Sequence, residues 1–445
     1  MDGGLFPEIQ SEIFLYCARN DADDLLHPSK APLVLTRVCR SWRAIALQST
    51  PSLWTLLQIP RVDSYNHDSL CRALETWLSL SNRRPLTISV IAPAQPYVDR
   101  LLAIIGAHSH RWKDMVLQLP VMPPLDDAPP LLERLALTTY GDRGIESFVP
   151  AILSAKRLRH LAVRPDSWHE EFQSLFSSRI LEVFSAHCWH RSPSWDMGRF
   201  ADNARGSHLV ALRLSFRELA VKNTDIGTRC ILPRLESLNI SIEDCDAIAV
   251  FIDALELPRL KCLELSAAPL LKKSKRIGPS LLSLLSYCTD TISKICLRSV
   301  RMPPAHLQAV LASANNIQSL TLTNTYHASL VLKHLALVFS PTGELTRGQN
   351  TNLSYLCVLP QWEDADKCRY YCRQLVKVVE SRRRCGRVAK LKGLGICTQT
   401  WSEAEEKGLV DPLHRMIWRD EGLRVHEGGR METGDEWFAR MTDNA

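Results

Sequence analysis

The chain lacks the short patterns that mark common enzymes. No G-x-x-x-x-G-K-S/T, G-x-S-x-G or H-E-x-x-H occurs in its 445 residues. That removes the usual phosphate loop, serine-hydrolase elbow and zincin helix. It has no apolar run near the ~20 residues of a membrane helix. Its opening, MDGGLFPEIQ, is acidic and polar early and reads as no signal peptide. A strong excess of one charge is missing too. The net charge is +6, spread along the chain, so nucleic acid is not an expected partner. The 14 cysteines have no regular spacing and sit inside apolar runs, such as Cys262 in LKCLEL and Cys296 in ISKICL. Buried reduced thiols of an intracellular protein fit this better than a disulfide framework. The HCWH run at 187–190 has no second ligand pair, so neither a metal nor a cofactor is expected. The basic runs KKSKR (272–276) and RRRCGR (382–387) read as solvated loops or helix ends.

What is present is ordinary globular material, 45% hydrophobic and 23% charged, enough for a large core. The first sixty residues carry a helical pattern. PEIQSEIFLYCAR places Ile9, Ile13, Phe14 and Cys17 at helical spacing, with Pro7 in the first turn. APLVLTRV and SWRAIALQ predict two more short helices after a polar loop over 20–32. A unit this small buries only about 60% of its unfolded surface, so its apolar face gains by docking on something.

These residues resemble the F-box, in the form common among fungal proteins. The matching positions are Leu5, Pro7, Glu8, Ile9, Ile13, Phe14, Val38, Cys39, Arg40, Trp42, Pro51, Leu53 and Trp54, and Phe6 stands where the family usually has a proline. The resemblance implies a substrate receptor of a Skp–cullin–F-box ubiquitin ligase. It implies that Leu5, Pro7, Glu8, Ile9, Ile13, Val38, Cys39 and Trp42 contact a Skp-type adaptor, and through it a cullin. The receptor would perform no bond chemistry; it would act by raising the local concentration of a protein target.

Beyond residue 111 a hexad, apolar-x-x-apolar-x-apolar, recurs. It reads LERLAL, LRHLAV, LVALRL, LESLNI, LKCLEL, ISKICL, IQSLTL, LSYLCV and LKGLGI, with weaker copies WKDMVL and LEVFSA. The starts lie mostly about 20–30 residues apart, with longer gaps late, close to the period of leucine-rich repeats. Helical stretches such as EDCDAIAVFIDALEL separate the hexads. The array resembles irregular, helix-backed leucine-rich repeats. The expected fold class is therefore α/β: a small all-helical F-box-like module followed by a leucine-rich-repeat solenoid, or horseshoe. The divisions are the helical module over 1–57, a linker and atypical first unit over 58–111, repeats over 112–400 and a cap over 401–445.

In such an array the third, fifth and seventh places of each hexad would face solvent. They are mostly small or polar, and the charged ones are Arg134, Arg164, Arg213, Lys294 and Arg298 against Asp114 and Glu264, with His160 and His187 among them. This basic bias points to a target of acidic character. The expectation is a non-catalytic adaptor in the cytoplasm, the nucleus or both, with a protein target and no membrane. The alternative is a protein-binding module whose N-terminal helices form a plain cap, with no ligase link.

Overall fold

The computed structural model describes residues 5–20, 28–59, 67–91, 98–122, 125, 127–140, 145–166, 171–188, 194–204, 206–222, 229–268, 274–325, 328–340, 345–348, 350–360, 365–384, 390–396 and 424–427. They fall into two compact units, one running to Cys188 and one from Ser194 onward.

The first unit begins with α1 (Pro7–Asn20), α2 (Leu35–Val38) and α3 (Arg40–Ala44). Phe14 and Ala18, one helical turn apart on α1, are buried. The predicted second and third helices are shorter than expected, because Cys39 is extended between them. Its Sγ caps α3 by accepting from the Trp42 amide at 3.4 Å. A π turn (Ile45–Ser49) and a 3-10 turn (Pro51–Trp54) lead straight into β1 (Leu56–Ile59). Trp54 donates its indole N–H to the Ala46 carbonyl at 2.8 Å and meets Trp77 edge-on, with ring centroids 4.8 Å apart.

Trp77 belongs to α4 (His67–Leu80), whose buried Leu70, Cys71, Leu74, Trp77 and Leu78 form one stripe. There follow β2 (Leu86–Ile91), α5 (Val98–Gly106), β3 (Trp112–Leu119), β4 (Arg134–Thr139), α6 (Ile145–Leu153), β5 (His160–Arg164), α7 (Glu171–Ser174) and β6 (Val183–Cys188). The six strands are parallel and paired in chain order.

The second unit holds β7 (Ser194–Asp196), α8 (Met197–Ala204), β8 (Ala211–Phe216), β9 (Ala220–Lys222), β10 (Cys230–Ile231), β11 (Ser237–Ile242), α9 (Cys245–Asp253), β12 (Leu255–Glu256), β13 (Cys262–Ser266), α10 (Ile277–Ser286) and β14 (Lys294–Arg298). It continues with α11 (Pro304–Ser313), β15 (Ser319–Thr325), α12 (Ala328–Leu335), β16 (Val338–Phe339), β17 (Leu345–Arg347), β18 (Tyr355–Pro360), α13 (Ala365–Arg384), β19 (Gly393–Ile396) and β20 (Arg424–Glu427). Strands β8, β11, β13, β14, β15, β18, β19 and β20 form its parallel ladder.

Each hexad supplies a strand by one rule. In LESLNI, Leu235 is buried at the turn, and Leu238 and Ile240 follow as buried strand residues two apart. The Leu-Pro-Arg-Leu turns before β11 and β13 close through Leu235 N–H to Leu232 O and Leu260 N–H to Leu257 O, both at 3.3 Å. Proline suits the second position of such a turn. In the second unit Trp195 gathers Phe200, Phe216 and Phe251 at centroid distances of 5.4, 6.0 and 5.6 Å.

The expected small all-helical module followed by a leucine-rich-repeat solenoid is corrected by this architecture. The chain is mixed α/β, with a long parallel sheet and interspersed helices, and no sheet closes into a barrel. Two physical reasons account for the difference. The N-terminal helices share a core with α4 through Trp54 and Trp77, so they form no separate module. A one-sided array would leave alternate strand residues wet, yet Val116, Ala136 and Ala162 cluster in a buried layer on adjacent strands. Small side ladders, β7 with β9, β10 with β12 and β16 with β17, further break any regular unit. The expected C-terminal cap lies outside the described residues except for β20.

Candidate functional site

Helix α1 has two unlike sides. Inward, Phe14 stacks on Trp42, with centroids 5.0 Å apart at 57°, and Ser11 Oγ lies 2.8 Å from Thr50 Oγ1. Outward, Leu5 is 55% exposed, Phe6 73%, Ile9 46%, Ile13 43% and Tyr16 68%. Ile9, Ile13 and Tyr16 are spaced four and three residues apart, so they form one stripe. Pro7 and Glu8 are exposed at its start, and Gln10 Nε2 donates to the Leu5 carbonyl at 2.9 Å, holding the entry to the helix. Val38 and Cys39 are exposed and Trp42 is half-buried. Isolated exposed apolar residues need no explanation, but a run of them at the start and along one side of a helix makes a candidate interaction surface.

The residues expected to face a target divide by unit. In the first unit Arg134 is gripped by Asp114: Nε donates to Oδ1 at 2.7 Å and Nη2 to Oδ2 at 3.0 Å. That fork holds the guanidinium pKa above its ordinary value, against the opposing effect of burial. Arg134 and His160 are register partners on β4 and β5. Burial lowers the His160 pKa, with Glu182 opposing and Arg134 and Arg159 assisting, so its ring is neutral near pH 7. Arg164 is half-buried at the end of β5. His187 departs from the expected exposed face. It is only 5% exposed, beside buried Ser185 on β6, because this part of the sheet is covered on both faces. Its neighbour in the HCWH run, Cys188, is buried and bonds the Asp166 carbonyl at 3.7 Å; His190 lies outside the described residues.

In the second unit the predicted cations gather around one carboxylate. Glu264 Oε1 accepts from Lys294 Nζ and Oε2 accepts from Asn239 Nδ2 at 2.9 Å. Burial alone would push the Glu264 pKa up, but the bond and charge of Lys294, helped by Arg298 and Arg213, bring it below the ordinary carboxylate value. Arg298 Nε also donates to Cys296 Sγ at 3.3 Å. Burial outweighs that nearby cation and raises the Cys296 thiol pKa; it also pushes the Cys357 thiol up to about 11. These are protonated packing thiols and not nucleophiles.

A row not anticipated from the sequence lies at the second hexad position. Lys113 on β3 and Glu133, Arg159 and Glu182, each just ahead of β4, β5 and β6, alternate in sign along the row. Lys113 Nζ is 3.8 Å from Glu133 and Arg159 Nη1 is 3.5 Å from Glu182. Their backbones form a chain, each N–H donating to the carbonyl of the residue before it in the row at 2.8–2.9 Å. The signal was in the hexads WKDMVL, LERLAL, LRHLAV and LEVFSA, where the second letters read K, E, R, E. Beside this row opens a cleft of about 570 Å³, lined by Glu133, Arg134, Lys156, Arg157, Arg159, His160 and Ile180.

Among the described residues no His, Cys, Asp and Glu group is placed to hold a metal ion, and no helix is long and apolar enough to cross a membrane. Neither a protein-family model nor a curated protein matches the chain.

Proposed function

We propose that the protein is the substrate-recognition subunit of a Skp–cullin–F-box type ubiquitin ligase. The N-terminal helices bind a Skp-type adaptor and the charged side of the strands holds a protein target. The observation that carries this reading is the outward stripe of Leu5, Phe6, Ile9, Ile13 and Tyr16, on residues whose sequence resembles the F-box. Covering a fully exposed Ile or Phe side chain contributes about 1.5–3 kcal/mol; these residues are part-covered already, so each contributes roughly half of that, and together they can sustain an interface once ordering costs are met. The protein supplies position and no chemistry of its own. The packing of Trp54 on Trp77 supports a second reading, in which the helices serve only as the structural start of the first unit and the chain is a target-binding protein without a ligase.

The test uses the full chain, because residues 5–57 share the core of the first unit. The chain and its Ile9→Glu/Ile13→Glu variant are each mixed with a purified Skp-type adaptor and binding is measured by calorimetry. Both substituted residues point outward, so the variant keeps its fold, which circular dichroism checks. Binding by the parent and at least tenfold weaker binding by the variant are expected, the scale of ~1.4 kcal/mol. An intact, folded chain that does not bind the adaptor overturns the ligase reading and leaves the second.

A further inference from the structure

The cleft at the start of β4 and β5 has a composition that the adaptor reading leaves unused. Lys156 and Arg157 come from the turn after α6, both exposed, and among the described residues neither pairs with a carboxylate. Arg159, just ahead of β5, is 63% exposed at its side chain and reaches Glu182 only at 3.5 Å. Arg134 stands at the inner wall with its charge shared by Asp114. The lining offers a single carboxylate in return, Glu133, and that one already faces Lys113 at 3.8 Å. The field inside is therefore positive, and a concave site focuses it.

Size and wall chemistry narrow the occupant. A volume of about 570 Å³ is within the roughly 300–1,000 Å³ of ligand sites and far exceeds a lone oxyanion. The cations sit on long, exposed arms and not on a rigid nest of backbone N–H groups, which suits side chains of a peptide better than a fixed inorganic ion. Ile180 adds an apolar contact on the wall. We propose that this cleft binds an acidic segment of the target, seating a carboxylate or a phosphate group among Lys156, Arg157 and Arg159. The inference rests on the reading that the first unit holds the target; it is independent of adaptor binding.

The test titrates the full chain with three fluorescein-labelled nonapeptides, read by anisotropy. One is rich in Asp and Glu, one carries phosphoserines in place of those acids, and one carries Asn and Gln. Either anionic peptide should bind more tightly than the neutral one. Which of the two binds better identifies carboxylate or phosphate as the source of the anion. The Lys156→Ala/Arg157→Ala variant should lose about tenfold in affinity, the combined scale of two exposed charge contacts. Because both side chains are exposed, the variant should keep its thermal unfolding midpoint and its adaptor binding. Equal binding of all three peptides, or an unchanged affinity in the folded variant, overturns the proposal. A parent chain that binds the anionic peptides but no adaptor would fault the ligase reading alone.

Discussion

Two charged side chains, one buried and one half-buried, show how single residues are settled by their surroundings. Arg382 sits in a run, RRRCGR, that reads from sequence as a solvated helix end, yet its side chain is fully buried. Its guanidinium donates to the Asn350 carbonyl at 2.7 Å and to the Leu335 carbonyl at 3.0 Å, joining the last turn of α13 to the end of α12. Burial pushes its pKa down to about 10. Arg382→Met should lower stability by about 2–4 kcal/mol, since it strips two buried carbonyls of a charged donor; the urea midpoint measures it, and an unchanged midpoint contradicts the clamp. Glu264 behaves differently. Its folded pKa lies below its unfolded one, so its contribution is present above the unfolded carboxylate pKa. It is lost as pH falls through the lower folded value. With Lys294 44% exposed, the contribution is about 0.5–1 kcal/mol after solvent screening. Glu264→Gln should therefore flatten the acid side of the stability–pH curve, the difference fading as pH falls through the lowered folded pKa of Glu264; equal acid slopes would contradict this. Local spacing gave no sign of the Arg382 clamp, because its partners come from segments distant in the chain.

At the scale of elements the sequence was most legible. The hexads mark the strands from β3 through β19, apart from the short side-ladder strands. The span expected to hold a linker and an atypical first unit, 58–111, contains α4 and α5 around β2. The reason is that strand and helix periods depend on near neighbours along the chain. The break between α2 and α3 was not legible, since it depends on the extended Cys39 and its thiol cap. Helix α1 gives the clearest contrast between its two sides. Phe14→Ala should destabilise the first unit by about 3–5 kcal/mol, as buried aromatics do. Ile13→Ser, one residue earlier but facing outward, should change stability by no more than about 0.5 kcal/mol. Thermal unfolding of both variants decides it: similar losses would mean that the stripe is part of the fold and not free for a partner.

At the scale of the whole molecule the hexad pattern misled. It fixes one buried residue set per strand but carries no information on what covers the other side. Thr138, Ser185 and His187, polar residues expected in solvent, are buried. A polar residue at a strand position is compatible with either outcome, and only the packing around Val116, Ala136 and Ala162 decides it. For the same reason the candidate target surface contracts in the first unit to the ends of strands, where the cleft lies. The helical start was likewise legible as elements but not as part of a shared core, because Trp54 and Trp77 meet although they lie far apart in sequence.

The alternating row of Lys113, Glu133, Arg159 and Glu182 works as a spelling rule for the stretch from β3 to β6. Within it each hexad offers, at its second letter, the sign opposite to its neighbour's. The return segments obey no such rule: the one from Asp114 to Arg134 is brief and the one from Tyr355 to Gly393 carries a long helix, yet both deliver a strand in register. Descendants of this chain could thus gain or lose loops between strands freely, whereas a single charge reversal in the row would call for a matching reversal next door.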